Sequence, residues 1–92
     1  MIKSKNTTFS ERALEEILFW AFDNRKILKK IQSLIEDIQR NGLLEGIGNP
    51  ERLKYEQEEL YSRRIDSKNR LVYTLKDESL FIVSCKGHYD EE

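Results

Sequence analysis

The sequence predicts an α+β fold in which two N-terminal helices pack on one face of an antiparallel β-sheet. Through residues 11–41 apolar residues recur at spacings of three and four, the pattern of amphipathic helices. After Gly42 the chain changes to short runs of β-branched and aromatic residues, YSRRID, RLVYTL and LFIVSC, separated by the turn signals DSKN and KDES. Two helices followed by consecutive hairpins favour a sheet with both helices on the same face.

The first helix is predicted to begin after Thr8, because Thr8 followed by Glu11 fits a capping box. A weaker pattern over residues 2–7 favours a short strand before it. The helix is expected to bury one apolar face, made of Leu14, Ile17, Leu18 and Ala21. The aromatic cluster from Trp20 to Phe22 is also expected in the core.

The second helix has a stronger pattern. Asp23 is predicted to cap it, and Phe22 is predicted to pack on Ile27 as a hydrophobic staple. Its apolar stripe comprises Ile27, Leu28, Ile31, Leu34, Ile35 and Ile38. Gly42 is the expected stop signal, and the glycine-rich segment after it is a loop.

Alternation along the strands sorts their side chains between the two faces of the sheet. In one strand it separates Leu71, Tyr73 and Leu75 from Arg70, Val72 and Thr74. In the next strand it separates Phe81, Val83 and Cys85 from Ile82, Ser84 and Lys86. One face is therefore expected to pack on the helices, and the other to gather Arg70, Lys86 and His88 with Arg63 or Arg64.

Length and composition restrict the class of protein. We expect residues 1–92 to form a single domain that ends in an acidic tail at residues 90–92. The longest apolar run is too short to span a membrane, and the single cysteine, Cys85, predicts a reduced cytoplasmic protein. The net charge of −1 argues against a general nucleic-acid binder, although basic residues cluster at 25–30 and 61–76.

The polar face of the predicted sheet carries groups that suit RNA cleavage. Arginine can donate to two phosphate oxygens and keeps its charge, and the imidazole of His88 can act as a general acid or base. Glu51, on the loop that enters the sheet, would complete an acid–base pair. Such a transesterification needs no metal or cofactor, and no cluster in the sequence has metal-ligand spacing. Without a further signal, a solvated basic face and a surface histidine remain the more ordinary explanation.

An ordered series of motifs runs through most of the chain. It comprises LFW and ILKKIQSLIEDIQRN in the helices, followed by EGIGNPERLK, YSRRID, NRLVYTL and CKGHY. From about residue 8 to residue 89 the series closely resembles the YoeB/Txe family of toxins, which belongs to the RelE superfamily of toxin–antitoxin systems. The resemblance implies a RelE-like fold, with a short N-terminal strand followed by two helices and a β-meander.

The resemblance also implies an activity, because members of this family are mRNA endonucleases that act in the ribosomal A site. By motif position, Glu51 would be the general base, His88 the general acid and Arg70 the group that stabilises the transition state. The residues expected to contact RNA are Lys54, Arg63, Arg64, Lys86 and Tyr89. The residues expected to contact the ribosome are Arg25, Lys26, Lys29 and Lys30.

The resemblance implies partners as well. These are an antitoxin of the YefM/Phd type, the ribosome and mRNA. Operator DNA would be contacted only through the antitoxin, and no membrane binding is expected. The alternative is a non-catalytic protein of the same fold, acting as an antitoxin-bound corepressor or as a poison of another target such as gyrase. The joint presence of Glu51, Arg70 and His88 favours the nuclease.

Overall fold

A computed structural model of the chain describes residues 6–54 and 58–87 and confirms the α+β class. Within these residues the elements are β1 (Thr7–Phe9), α1 (Glu11–Asp23), α2 (Arg25–Asn41), β2 (Glu51–Arg52), β3 (Tyr61–Arg64), β4 (Arg70–Lys76) and β5 (Ser79–Ser84). The strands form one sheet in the order β1-β5-β4-β3-β2. The predicted antiparallel pairing holds from β2 to β5, whereas β1 pairs parallel with β5, so the sheet is mixed.

Helix α2 has the predicted core-facing stripe. Ile31, Leu34 and Ile38 are buried, and the other members of the stripe pack against them. The helix ends as predicted at Gly42, whose φ of 103° lies in the region that favours glycine. Its N-cap is Asn24 rather than the predicted Asp23, because the Asn24 side chain accepts from two backbone N–H groups of the first turn.

Helix α1 is rotated relative to the prediction. Its N-cap is Ser10, not Thr8, and its buried residues are Ala13 and Trp20. Leu14 and Leu18, predicted to be in the core, are 51% and 58% exposed. Trp20 is the physical reason, because its indole N–H donates to the carbonyl oxygen of Cys85 at 3.0 Å and fixes which face meets the sheet. Phe22 is 97% exposed, so the predicted staple and core position of this residue are wrong.

A β-bulge changes the predicted facing of β5. Tyr73 pairs with Ile82 and Val72 pairs with Ser84, which leaves Val83 as an extra residue in β5. Ile82 and Cys85 both join the core under the helices, while Val83 packs with Val72 in a second cluster. The prediction that Ile82 and Cys85 lie on opposite faces is therefore wrong, because simple alternation does not survive an inserted residue.

The two faces of the sheet differ in what covers them. One face packs on α1 and α2 around the main core, which includes Tyr73, Leu80 and Ile82. The opposite face, here termed the open face, has a smaller cluster of Leu53, Leu60 and Val72 beside its polar residues. Among the described helices, neither is long and apolar enough to cross a membrane.

Candidate active site

The centre of the open face is built by residues that pair across three neighbouring strands. Glu51 of β2 lies opposite Ser62 of β3, and Ser62 lies opposite Val72 of β4. Arg64 of β3 lies opposite Arg70 of β4 by the same register. Because directly paired residues project from the same face of a sheet, the structure brings Glu51, Arg64 and Arg70 together. The sequence predicted that Arg70 lies on this face.

The Arg70 side chain makes few and long contacts at this centre. Its Nη1 donates to the Ser62 hydroxyl at 3.3 Å and lies 3.9 Å from Oε2 of Glu51. The side chains of Arg70 and Glu51 are 19% and 46% exposed, so water and a ligand can reach both groups. A carboxylate and a guanidinium in this arrangement can respectively accept a proton and stabilise negative charge on a phosphoryl group.

The pairing of Arg64 with Arg70 places two positive charges on adjacent strands of the same face. Like charges directly opposite each other destabilise a sheet, since the antiparallel register keeps their Cβ atoms roughly 5 Å apart. An anion bound between them would relieve that repulsion. Arg64 is exposed, so it can contact such an anion. The open face therefore has the electrostatics of an anion site.

Apolar packing on the open face itself supports the end of β2. The backbone N–H of Leu53 donates to the carbonyl oxygen of Leu60 at 2.8 Å, and both side chains pack on Val72. Val72 is fully buried, so this apolar cluster excludes water from its own interior. Lys54 follows Leu53 and is exposed.

The chain after β5 is fastened on both sides. The carboxylate of Glu16 accepts from the backbone N–H of Cys85 at 2.7 Å, and Trp20 donates to the Cys85 carbonyl oxygen. Two residues later, the Gly87 N–H donates to Oδ1 of Asn69 at 2.7 Å, and the Gly87 carbonyl accepts from the backbone N–H of Arg70 at 3.1 Å. The chain is thus bonded to the head of β4 at Gly87. His88 and Tyr89 follow Gly87 and lie outside the described residues.

Cys85 itself is a core residue rather than a reactive group. Its side chain is fully buried beneath α1, with the thiol 3.9 Å from the carbonyl oxygen of Ala13. Burial, with smaller effects from the Glu16 carboxylate, raises the pKa of the Cys85 thiol to about 12. A thiol that stays protonated at neutral pH is a poor nucleophile, so Cys85 contributes packing.

Arg63 does not belong to the open face, and the prediction that it contacts RNA is wrong. It lies one residue from Arg64 on β3, so its side chain points to the helix face, where it is fully buried. Its Nη1 donates to Oδ2 of Asp37 at 2.6 Å, and its Nε donates to the Tyr73 hydroxyl at 3.0 Å. A fully buried guanidinium with these partners cannot reach RNA.

The remaining basic residues predicted to bind lie away from the Glu51–Arg70 centre. The ammonium of Lys86 lies over the ring of Phe19 on α1, 4.8 Å from its centroid, so Lys86 is directed towards the helix layer and the prediction that it lies on the open face is wrong. The basic residues of α2 are all exposed; they are Arg25, Lys26, Lys29 and Lys30. They occupy the first turns of a helix with no acid in its first turn, where positive charge opposes the helix dipole.

Sequence reasoning missed three residues that shape this region: Asp37, Ser62 and Tyr73. Asp37 carried a signal, since it lies three residues from Leu34 and next to Ile38 on the apolar stripe of α2, where a carboxylate needs a partner. Burial raises the pKa of Asp37, but hydrogen bonds from Arg63, Ile47 and Asn41 outweigh it and hold the pKa below its usual value. Burial raises the pKa of Tyr73, against the lowering effect of Arg63.

Comparison with known proteins identifies the class to which this fold and site belong. Residues 9–89 match the family model described as a YoeB-like toxin of bacterial type II toxin-antitoxin systems. The chain is 42% identical over 81 residues to "Toxin YoeB" of Escherichia coli K12, an alignment that covers 88% of this chain and 95% of the relative. The chain therefore belongs to the YoeB-like toxins.

Solved structures agree with this assignment. The structure described as the YoeB-YefM complex from Staphylococcus aureus has 50% sequence identity and a TM-score of 0.84, and the match covers 91% of this chain and 97% of that one. The structure described as a YoeB dimer from Staphylococcus aureus has 49% identity and a TM-score of 0.86, with the same coverage of both chains. The predicted RelE-like arrangement of helices and sheet is thus confirmed.

Proposed function

We propose that this toxin is a ribosome-dependent endoribonuclease that cleaves mRNA in the A site without a metal ion. Glu51 acts as the general base, Arg70 stabilises the phosphoryl transition state and His88 acts as the general acid. The observation that carries the proposal is the meeting of Glu51 and Arg70 on the open face, at 3.9 Å, with Arg64 opposite Arg70.

The proposed reaction is a transesterification within the RNA chain. The Glu51 carboxylate takes the proton of a 2′-hydroxyl, and the 2′-oxygen forms a bond to the adjacent phosphorus. The bond from phosphorus to the 5′-oxygen breaks, and His88 gives a proton to that leaving oxygen. The products are a 2′,3′-cyclic phosphate and a free 5′-hydroxyl. Negative charge builds on the non-bridging oxygens, where Arg70 and Arg64 can donate hydrogen bonds.

The backbone around Gly87 supports the assignment of His88. The Gly87 carbonyl accepts from the backbone N–H of Arg70, so the residue that precedes His88 in the chain is bonded to the residue proposed to stabilise the transition state. Glu16 and Trp20 fasten the peptide groups of Cys85 two residues earlier. A general acid needs such fixed backbone, because proton transfer requires hydrogen-bond distance to the leaving oxygen.

The same site supports an antitoxin as the natural inhibitor. The complex with YefM in the Staphylococcus aureus relative motivates a cognate antitoxin of the YefM/Phd type for this chain. An acidic segment that becomes ordered on Arg64 and Arg70 would occupy the position of the RNA phosphate. Co-expression is expected to yield a stable complex without cleavage, and full activity within that complex would refute inhibition by occlusion.

The test is in vitro translation of a defined mRNA, with the cut ends mapped and single-turnover rates measured on programmed ribosomes. His88→Gln and Glu51→Gln are each expected to lower the cleavage rate by roughly 10²–10⁴-fold, the usual contribution of a general acid or base. Glu78→Gln is the matched control, because Glu78 is an exposed carboxylate in the turn after Lys76, at the other end of β4 from Arg70.

A wild-type rate for His88→Gln or for Glu51→Gln would refute the role given to that residue. Absence of any cut by the unaltered protein would instead favour the non-catalytic alternative, a corepressor or a poison of another target. Ribosome binding measured in the same samples separates that outcome from a protein that fails to dock.

A further inference from the structure

A buried arginine fastens the loop that precedes Glu51. Arg63 is fully buried, and three of its five N–H donors bind carbonyl oxygens of residues 42–48, which we term the anchored loop. Its Nη2 donates to the carbonyl oxygens of Gly42 at 2.8 Å and Glu45 at 2.6 Å, and its Nη1 donates to that of Ile47 at 2.9 Å. One guanidinium therefore joins the beginning, middle and end of this loop.

Two further side chains complete the anchor. Asp37 accepts from Arg63 and, through the same Oδ2, from the backbone N–H of Ile47 at 3.0 Å. Tyr73 accepts from Nε of Arg63 and donates to the carbonyl oxygen of Leu43 at 2.6 Å. All five N–H donors of Arg63 thus have partners, and the cluster binds five backbone groups of the anchored loop.

The loop backbone lies directly against this cluster. At Gly46, where φ is +118°, a Cβ atom would be 1.8 Å from Oδ2 of Asp37, so only glycine allows the approach. At Gly48, where φ is +85°, a Cβ atom would be 2.8 Å from Cδ2 of Leu34. The backbone of the loop therefore packs against the Asp37 carboxylate and against α2.

The anchored loop leads directly to Glu51. The carbonyl oxygen of Gly48 accepts from the backbone N–H of Arg64 at 2.7 Å, and three residues later Glu51 begins a two-residue strand at the edge of the sheet. So short an edge strand has few hydrogen bonds of its own, and Glu51 is exposed. Its position beside Arg70 therefore depends on the segment that delivers it.

We propose that Arg63, Asp37 and Tyr73 are positioning residues for catalysis: from the helix face they fix the anchored loop, and through it they hold Glu51 beside Arg70 on the open face. This inference rests on the proposed function, in which Glu51 is the general base. Arg63 then acts through the backbone, without touching RNA. A displacement of about 1 Å at a reacting group can lower a rate by as much as 10²-fold, so a remote anchor can matter.

The sharpest single change is Tyr73→Phe, with Tyr61→Phe as its matched control. Tyr73→Phe removes the hydroxyl that binds both Arg63 and Leu43 but keeps the ring and the Arg63–Asp37 pair. The ring of Tyr61 stacks on that of Tyr73 at 5.9 Å, yet its hydroxyl donates to exposed Glu59 at 3.4 Å and not to the loop. The two variants therefore differ in the loop contact.

Amide hydrogen exchange tests the anchoring step without reference to activity. In Tyr73→Phe the backbone N–H of Ile47, bonded to Asp37, is expected to exchange at least about tenfold faster, whereas Tyr61→Phe leaves it unchanged. Amides of β4 serve as the internal reference for global stability. Equal exchange at Ile47 in the wild type and Tyr73→Phe would overturn the anchoring. Gly46→Ala, whose Cβ would displace the Asp37 carboxylate, is a second variant that should give the same result.

A double-mutant cycle tests the catalytic step. Single-turnover cleavage at saturating ribosomes is expected to fall about tenfold in Tyr73→Phe, because Glu51 is displaced. Ribosome affinity should stay unchanged, because the surface that docks on the ribosome is not altered. In a Glu51→Gln background the same Tyr73→Phe change should cost less than about twofold, since the base it positions is gone. An equal loss in both backgrounds would show a merely structural role and overturn the inference.

The outcomes separate this inference from the proposed function. A wild-type cleavage rate for Glu51→Gln would refute Glu51 as the base, and with it the catalytic half of the inference. The exchange of Ile47 would then still decide whether the cluster anchors the loop. If Glu51→Gln is inactive but Tyr73→Phe cleaves at the wild-type rate, the proposed function stands and the positioning role fails.

Discussion

Two arginine–carboxylate pairs lie on opposite faces of the same sheet and have opposite characters. Arg63 and Asp37, on the helix face, are separated by 2.6 Å, with side chains 0% and 12% exposed. Arg70 and Glu51, on the open face, are separated by 3.9 Å, with side chains 19% and 46% exposed. Both arginines belong to adjacent strands, so the face to which each points determines the difference.

The comparison shows how the same residue types can be committed to structure on one face and left available for chemistry on the other. The guanidinium of Arg63 uses every donor on protein groups, so no capacity remains for a ligand. Among the described residues, Arg70 makes one side-chain hydrogen bond, to Ser62, and its donors remain available to a phosphate. A tight pair needs burial and complete hydrogen bonding, whereas a proposed catalytic pair needs access and unused donors.

The largest expected effect breaks the buried pair. Asp37→Asn is expected to lower the free energy of unfolding by about 3–5 kcal/mol, because it leaves the Arg63 charge buried without its counter-charge. Glu51→Gln on the open face should change it by less than about 1 kcal/mol, since a loose and exposed pair contributes little. Urea unfolding of both variants measures the contrast, and similar losses in the two would contradict the structural division between the pairs.

The converse effect concerns turnover. Arg70→Lys keeps the charge but loses the planar fork, so single-turnover cleavage should fall by about 10²-fold while ribosome affinity and stability change little. The matched change on the other face, Arg63→Lys, should have its main effect on stability and lower the free energy of unfolding more than Arg70→Lys does. Equal losses of affinity and turnover in Arg70→Lys would make Arg70 a binding residue instead.

A smaller effect follows from the lowered pKa of Asp37. A carboxyl group whose folded pKa lies below its unfolded value of 3.8 stabilises the fold above that value, and this stability is lost as pH falls through the folded pKa. The unfolding free energy of Asp37→Asn should therefore fall less than that of the wild type when the pH is lowered from 5 to 3. Asp66 also has a lowered pKa, since hydrogen bonds from Lys68 and Asn69 outweigh its burial.

Asp66→Asn gives an independent measure of this pH dependence, because Asp66 has its own lowered pKa, caps a turn and does not belong to the buried pair. Both variants should lose part of the acid-dependent slope, and together they should lose more than either alone. An unchanged slope in Asp37→Asn would mean that the Arg63–Asp37 pair does not contribute to acid unfolding.

The sequence predicts the parts of this comparison that depend on local periodicity and motif order. The stripe from Ile27 to Ile38 predicts α2 and its buried face, because a long amphipathic repeat has one favourable orientation. Strand alternation placed Arg70 correctly on the open face. Glu51 was a candidate because it lies on the segment that enters the sheet, and the family resemblance gave it the role of base. No periodicity could connect it with Arg70, since their proximity depends on pairing between β2, β3 and β4.

Long-range packing decided the features that the sequence did not predict. Arg63 and Arg64 are adjacent, and either face was possible until Asp37 on α2 and Tyr73 on β4 supplied partners for a buried guanidinium. Helix α1 faces the core through Trp20 because its indole meets the carbonyl of Cys85, 65 residues away. The bulge at Val83 likewise depends on its pairing partner and has no glycine to mark it.

The smallest expected effect concerns the acidic tail, which lies outside the described residues and belongs to neither pair. Asp90, Glu91 and Glu92 follow the proposed acid and would repel RNA phosphates that approach Arg64 and Arg70, without affecting the buried Arg63–Asp37 pair. Deleting residues 90–92 should therefore tighten ribosome binding at low salt, by on the order of 1 kcal/mol or less, and leave unfolding unchanged.

A neutralised tail separates charge from length in that measurement. The triple variant Asp90→Asn, Glu91→Gln and Glu92→Gln keeps the chain length and should reproduce the tighter binding if charge is the cause. The gain should disappear as the salt concentration rises, since screening shortens the range of the repulsion. If the wild type, the deletion and the neutralised tail bind ribosomes with the same salt dependence, the acids have no influence on the open face.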